Sequence, residues 1–441
     1  MSKTFRAWHV DEVWLFPPSV QDFVPAKHMA HFVRETVRTE LDLGAIFACY
    51  GEERGYPPYH PAMMVALLLY GYSRGIYSSR QLARACEERV DFMAVTGMSR
   101  PDFRTTAEFR RRHLKALGDL FVQVLRLCRQ AGLVKLGHVA LDGTKIKANA
   151  SKHKAMSYGR MRAAEAKLEA EVNAWFARAA AADSEEDRAH GTARGDELPD
   201  WVADKQQRLE RLRQAKAALE AEAKAPPSDD DGPGPSTGMM EHGRPKRAPN
   251  GGPPDRAQRN FTDPDSRILP TRDGVIQGYN AQIAVDGAHQ IILAQRVQTN
   301  AADRGALVPL VKAIRHDLRA KPAELSADAA YCDEANLAFL ARGRIAAYLA
   351  PGRARHAGGD PAGKRRMRQR SRVAAMATKL RRAGRRSRYR LRKQIVEPVF
   401  GQIKAPRSFR QFLLRGLDKV RGEWAMICTA HNLLKLAAAT A

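Results

Sequence analysis

His138-Val-Ala-Leu-Asp-Gly-Thr-Lys-Ile-Lys-Ala-Asn149 breaks the pattern of everything before it. A short apolar run ends in Asp142-Gly143 and then alternates through Ile146, which reads as a β-strand. The preceding residues, 26 to 135, read as mostly helical. Pro61-Ala-Met-Met-Val-Ala-Leu-Leu-Leu-Tyr-Gly-Tyr is a buried helix with proline at its start. A second helix follows with Ser78 as its cap, then Val90 to Val95, a glycine turn at Gly97, and a last helix from Thr105. There Thr105 and Glu108 have capping-box spacing. That last helix carries Arg110, Arg111 and Arg112, so the array resembles a helix-turn-helix. An ordinary helical bundle with a solvated basic face fits the same residues.

Beyond the strand, residues 155 to 224 are rich in Ala, Glu, Lys and Arg with heptad-like apolar spacing, which suits a helical hairpin or coiled coil. Residues 226 to 254 hold 14 Pro or Gly in 29 and read as a linker. Strand character returns at Gln277-Gly-Tyr-Asn-Ala-Gln-Ile-Ala-Val. Asp286-Gly287 then supplies a turn, and Gln290 to Val297 runs back as a hairpin. An amphipathic helix from Ala306 to Ala320 follows, then a short strand ending at Asp328. A helix from Asp333 to Ala341 and a strand from Ile345 to Leu349 come next. Two more helices close the chain, one around Glu397 and one from Gly422 to Ala438. This order predicts an α/β mixed sheet with helices, interrupted by a helical insertion and preceded by an all-helical N-terminal domain.

Charge narrows the partner. The 441 residues carry 74 Lys and Arg against 48 Asp and Glu, a net +26, and from Arg353 to Lys393 there are 17 basic residues and one acid. Such an excess is self-repelling without a polyanion, and duplex DNA is the natural one. No run of eighteen apolar residues occurs and the first residues lack a signal-peptide pattern, so neither a membrane span nor secretion is expected. The five cysteines are scattered singly, which excludes a zinc module and suits a reducing cytoplasm.

Chemistry on a DNA backbone needs hard oxygen ligands for Mg²⁺, commonly two or three carboxylates from different elements. Asp142 and Asp328 stand at strand ends. Seen alone, Asp142-Gly143 is more often a simple turn, and Asp328 can equally be the acid at the start of the next helix. Glu397 lies in a basic helix with Arg390, Lys393 and Lys404 on its own stripe, and Ile395, Val396, Val399 and Phe400 suggest a helix packed on a core. An intrahelical pair with Lys393 is the plainer reading. His431 reads as a packing residue, and Asp286 as a turn residue.

Taken together these residues resemble a DDE transposase of a bacterial insertion sequence, in the branch with a helical N-terminal domain. The matching stretches are Leu141-Asp-Gly-Thr-Lys-Ile-Lys-Ala-Asn-Ala-Ser, Thr262-Asp-Pro-Asp-Ser-Arg, Gln277-Gly-Tyr-Asn-Ala-Gln and Ser326-Ala-Asp-Ala-Ala-Tyr. The longest runs from Val396-Glu-Pro-Val-Phe-Gly-Gln-Ile-Lys through Phe409-Arg-Gln-Phe-Leu-Leu-Arg-Gly to Ala430-His-Asn-Leu-Leu-Lys-Leu. The resemblance implies an RNase H-like catalytic fold and a metal-binding, catalytic triad of Asp142, Asp328 and Glu397 holding two Mg²⁺ or Mn²⁺ ions. It matches Tyr389, Arg392, Glu397 and Lys404 to the family's Tyr-Arg-Glu-Lys signature, whose basic members contact DNA. The gap from Arg392 to Glu397 is one residue longer than usual, so Arg390 and Lys393 are alternatives. Ala330 stands where the family usually has glycine, and its methyl is expected to crowd the backbone.

The resulting expectation is a cytoplasmic, nucleoid-associated enzyme that binds terminal inverted repeats and target DNA as a homodimer or larger assembly. The alternative is a catalytically inactive, transposase-derived DNA-binding protein. Residues 1–135 would be the DNA-binding domain and 136–441 the catalytic domain, with an insertion at 151–256 and a basic insert at 353–388.

Overall fold

In a computed structural model the described residues are 19–51, 57–190, 200–224, 240–241, 244–245, 252–271, 274–351 and 371–440. The chain forms two units, one reaching to Ala116 and taking in the residues from Ala437 onward, the other spanning Leu117–Leu436. The division into compact units falls at 116/117.

The first unit is helical: α1 (Met29–Thr39), α2 (Gly44–Phe47), α3 (Pro61–Ser73), α4 (Ser79–Glu88), α5 (Val90–Thr96) and α6 (Phe103–Arg112). Proline occupies the first turn of α3, and the helix is buried from Met64 to Ser73, as its unbroken apolar run requires. Gly97 closes α5 in the left-handed conformation, φ 58°, which glycine adopts without the cost a side chain adds. Two expected caps differ. Ser78 makes no capping bond, and α6 is capped by Asp102, whose carboxylate accepts from the Arg104 amide at 2.7 Å, so Thr105 lies inside the helix. The local spacing was right for a box, but an aspartate three residues earlier captured the free amide.

The three arginines of α6 are engaged within this unit. Arg110 is buried and donates to the Tyr77 carbonyl (2.7 Å), Ser79 Oγ (3.0 Å) and Tyr72 Oη (3.3 Å), tying α6 to α3 and α4. Arg111 pairs with Glu108, and Arg112 donates to the Cys49 carbonyl and lies over the Tyr50 ring.

The second unit opens with α7 (Leu114–Gln130), which starts just before it, and then builds a sheet. Its central strand β1 (His138–Lys147) pairs antiparallel with β7 (Gly274–Asp286), which pairs antiparallel with both β6 (Arg267–Thr271) and β8 (Ile292–Gln298). On its other edge β1 runs parallel to β9 (Glu324–Ala327), and β9 parallel to β10 (Ala346–Leu349). An antiparallel three-strand meander continued by two parallel strands, with α10 (Leu307–Leu318) and α11 (Glu334–Arg342) between the later strands, is an RNase H-like arrangement. Within this sheet the strand that sequence reading missed is β6, whose Pro270 and short length mask its alternation.

Between β1 and β6 the chain leaves the sheet. A short pair, β2 (Ala155–Ser157) with β5 (Gln258–Asn260), closes the base of the excursion. From it rise α8 (Tyr158–His190) and α9 (Asp200–Lys224), which pack through Met161, Leu168, Leu209, Leu212, Ala215 and Leu219. Ion pairs Glu165–Lys216, Glu165–Arg213 and Glu171–Lys205 fix them antiparallel, as a helical hairpin. Most of the Pro/Gly-rich segment lies outside the described residues. Within it, β3 (Met240–Glu241) and β4 (Arg244–Pro245) form a two-residue ladder that the composition did not suggest.

Of the basic stretch, residues 352–370 lie outside the described residues. The rest forms α12 (Arg372–Ala383) and two single turns leading into α13 (Leu391–Lys404). Glu334 of α11 accepts the amides of Arg372 and Val373 and the Ser371 hydroxyl, and Lys379 donates to the Ala347 carbonyl while lying over the Tyr348 ring. This half of the basic stretch is thus docked on folded structure. The last helix, α14 (Leu417–Thr440), is buried along most of its length. The Thr262-Asp-Pro-Asp run now has a role: Asp263 and Asp265 accept the Gly416 and Leu417 amides at 3.1 and 2.9 Å, satisfying free donors at the start of α14.

Candidate active site

Register places the two aspartates. Ala140 of β1 faces Ser326 of β9 in the parallel ladder, so Asp142 and Asp328 each lie two residues farther on. Period-two alternation puts both at the same level and on the same face, on strands about 4.8 Å apart. Asp328 follows the last residue of β9, whereas Asp142 lies inside β1, still paired with Ile283 of β7 and two residues past the end of its parallel ladder with β9. The strand end expected at Asp142 does not occur, because the ladder with β7 carries β1 on to Lys147. Each is anchored by its own backbone: Asp142 Oδ1 accepts the Gly143 amide (2.8 Å), and Asp328 caps the turn Ala329–Tyr331 through the Ala330 amide (2.9 Å). Ala330 is exposed and its backbone is not left-handed, so the expected crowding by its methyl does not arise.

Both carboxyls are half-buried, and both are held above the ordinary carboxylate range. Burial pushes Asp142 up to about 6; Arg392 opposes this, while the charges of Asp328 and Asp303 add to it. Asp328 is raised by burial and by Asp303, against the Ala330 amide, Arg392 and Lys145. Burial is the first cause in both, with the neighbouring acids adding to it.

Arg392 of α13 is the main counter-charge. Its Nη1 lies 3.0 Å from Asp142 Oδ2, its guanidinium stands 5.7 Å from the Tyr389 ring centroid, and its Nε is buried with no partner among the described residues. The structure thus brings together Tyr389, Arg392 and Asp142. Lys404, one end of the Glu397 stripe, is half-buried and donates to Thr144 Oγ1 on β1; burial lowers its pKa. Arg390, Lys393 and Glu397 are exposed. The stripe therefore faces solvent over most of its length, and among the described residues Glu397 makes no ion pair with Lys393. The apolar side behaves as expected: Ile395, Val396, Val399, Phe400 and Ile403 are buried.

The donor set fits a hard divalent cation at the aspartate pair, since Mg²⁺ is often held by one or two carboxylates plus substrate phosphates. Among the described residues no group of three His, Cys, Asp or Glu side chains converges closely enough to hold a metal ion. Glu397 is on the adjacent helix but outside the pair.

Sequence reading gave no role to four polar residues beside the pair: Asn280, Gln282 and Tyr331, which lie in the stretches matched above, and Asp303, which it passed over. Asn280 and Gln282 are two fully buried amides at i and i+2 on a strand whose later half is mostly apolar, which was the available signal. Asp286 is a turn residue with a second task, as Oδ1 accepts the Ala288 amide and Oδ2 those of Lys135 and Leu136. His431 packs in the core, between Arg407 and the Gln290 carbonyl.

Comparison with protein-family models gives two matches, a transposase domain (DUF772) over residues 18–112 and a transposase DDE domain over residues 258–433. The chain belongs to the DDE transposases of insertion sequences. Comparison with curated proteins and with solved structures gave no match. The family model for the DDE domain begins at β5 and spans the strand bearing Asp328 and the helix bearing Glu397, while Asp142 lies ahead of it. As a transposase the protein acts on DNA, and among the described residues no helix is long and apolar enough to cross a membrane.

Proposed function

We propose that this transposase cuts DNA at the ends of an insertion sequence and joins them to target DNA, using Asp142 and Asp328 as its central metal-holding carboxylates and Glu397 as the third. The observation that carries the reading is that Asp142 and Asp328 each stand two residues beyond the Ala140–Ser326 pair of neighbouring parallel strands, beside a cation contributed by the Glu397 helix. A divalent cation held there would polarise the phosphodiester and stabilise the attacking and leaving oxygens.

The chain's own groups supply the rest. Water attacks the phosphorus at the element end, forming a new P–O bond as the 3′ oxygen leaves as a hydroxyl. That hydroxyl then attacks a target phosphorus and displaces a target 3′ oxygen. Both steps are in-line displacements, so one site serves both. Arg392 offers its unpaired Nε to a phosphate oxygen, and Lys404 lies two strand positions beyond Asp142, at Thr144. Exposed Arg390 and Lys393 extend this cationic surface. DNA docked on the exposed face of α13 meets Glu397 there. The helical first unit reads the terminal repeats, and two ends cut together call for at least two copies, acting at the bacterial nucleoid.

Labelled element ends incubated with a target plasmid in Mg²⁺ test the proposal. Cleaved and joined products are expected from the wild type, and their loss from Asp142→Ala, Asp328→Ala and Glu397→Ala. Cutting without joining would mean a nuclease of the same fold. DNA binding without any cutting in Mg²⁺ or Mn²⁺ would mean a binding protein descended from a transposase. Full activity in all three variants would sink the site assignment.

A further inference from the structure

Asp303 follows the β7–β8 hairpin at the N-cap position of the turn Arg304–Ala306, yet its side chain makes no capping hydrogen bond. An aspartate in that position usually stabilises the helix start by capping. Here Oδ1 instead accepts from Asn280 Nδ2 (2.6 Å), Gln282 Nε2 (2.7 Å) and Lys145 Nζ (3.1 Å). These donors come from two strands, β1 and β7. The chain of bonds continues, because the Tyr331 hydroxyl donates to Gln282 Oε1 and Tyr331 ends the turn that Asp328 caps. Tyr331 and Gln282 are fully buried, which leaves these bonds little freedom to exchange with water.

A second observation comes from Asp142's neighbour. A Cβ built on Gly143 would collide with Gln282 Nε2 and stand 3.0 Å from Asp303 Oδ1. The network therefore fills the space beside the strand position next to Asp142, and a glycine is required there to admit it.

We propose that Asp303 is a positioning residue of the transposase site: it ties β1, β7 and the Asp328 turn into one hydrogen-bonded unit. It thereby holds Asp142 and Asp328 in the mutual position that a divalent cation needs. The inference rests on the assignment of that pair as the metal-holding carboxylates. Groups that orient metal ligands without touching the metal affect affinity strongly, by roughly 10–100-fold when removed.

The test uses the full-length protein without DNA, titrated with Mn²⁺ and followed by the electron paramagnetic resonance of the free ion, beside thermal unfolding. Asp303→Asn keeps the side-chain shape while removing its charge. It is expected to weaken Mn²⁺ binding roughly tenfold or more with little change in the unfolding midpoint, and to raise the Mg²⁺ needed for half-maximal cleavage. Asp303→Glu should recover part of the affinity. Tyr331→Phe, which removes one oxygen, should shift affinity the same way by less. Wild-type Mn²⁺ affinity in both Asp303→Asn and Tyr331→Phe overturns the proposal. So does an affinity loss matched by an equal loss of folded protein, since Asp303 would then be only a structural residue. Asp142→Asn and Asp328→Asn separate the two levels: if both bind Mn²⁺ normally, the pair is not the cation site and both readings fall together.

Discussion

At the scale of single residues, the site is costly to the fold. Asp142, raised to about 6 from its ordinary value of 3.8, is protonated in the native state over a pH range where the unfolded chain has lost the proton. Its contribution is therefore favourable below pH 3.8 and is lost as pH rises through about 6. At pH 7 the charged, half-buried group opposes folding by an amount on the order of 2–3 kcal/mol. Asp142→Asn should accordingly raise the unfolding midpoint at pH 7 in a chelating buffer while abolishing DNA cleavage. A midpoint that falls instead would show that Arg392 overcompensates the burial. Gly143 has a sharper requirement, with its Cβ position taken by Gln282 and Asp303. Gly143→Ala should cost about 1–3 kcal/mol in denaturant unfolding through overpacking and reduce cleavage; an unchanged protein would mean the Gln282 amide yields freely. Strand-end placement of Asp328 was legible, because apolar runs and turn residues are local signals; Asp142 read the same way but lies inside β1, whose pairing with β7 continues past it. Asp303 was not legible, since an acid before a helix reads as a cap whether or not its side chain serves as one.

At the scale of elements, α14 is the beam on which the sheet edge is fixed. Asn432 accepts the Ile292 amide at 2.9 Å and donates to the Ile292 carbonyl at 2.8 Å, matching both backbone groups of one β8 residue. Asn432→Ala leaves both without that partner in a buried setting and should cost about 2–4 kcal/mol, read by chemical denaturation. One turn of the same helix also carries a pH dependence. His431 is fully buried beside Arg407 and held down to about 3 from 6.5, by burial first and then by the arginine. The native state keeps it neutral where the unfolded chain protonates it. Its stabilisation is therefore complete above pH 6.5 and is lost as pH falls towards 3. Stability of a His431→Gln variant should be less dependent on pH across that window, and an unchanged slope would assign the acid sensitivity elsewhere. The apolar periodicity of α13 and α14 was plain in the sequence. The stripe reading of α13 was only half useful, because helical spacing groups Arg390, Lys393, Glu397 and Lys404 but does not say which side meets β1. Packing of Ile395, Val396, Val399 and Ile403 turned Arg392, off that stripe, onto Asp142.

At the scale of the whole molecule, the net charge of +26 belongs largely to one stretch, and the described part of it is attached to the sheet rather than trailing from it. Arg381, Arg382, Arg385 and Arg386 are exposed there. Neutralising all four should weaken DNA binding at every sequence tested. It should also reduce the salt slope of the binding constant by about one for each phosphate no longer neutralised, with Mn²⁺ binding untouched. An unchanged slope would place the DNA elsewhere. The helical domain, the mixed sheet interrupted by a helical insertion, the acid at the end of β9 and the basic stretch were all written in the order of residues alone. Each of these follows from periodicity, turn chemistry or composition within a short window. Other features needed the folded chain: Arg392 neutralising Asp142 across 250 residues, Asp263 and Asp265 serving the start of α14, and Asp303 joining two strands to the Asp328 turn. Those are pairings between distant segments. Strand register and helix rotation select them, and both are set by how the buried faces pack together.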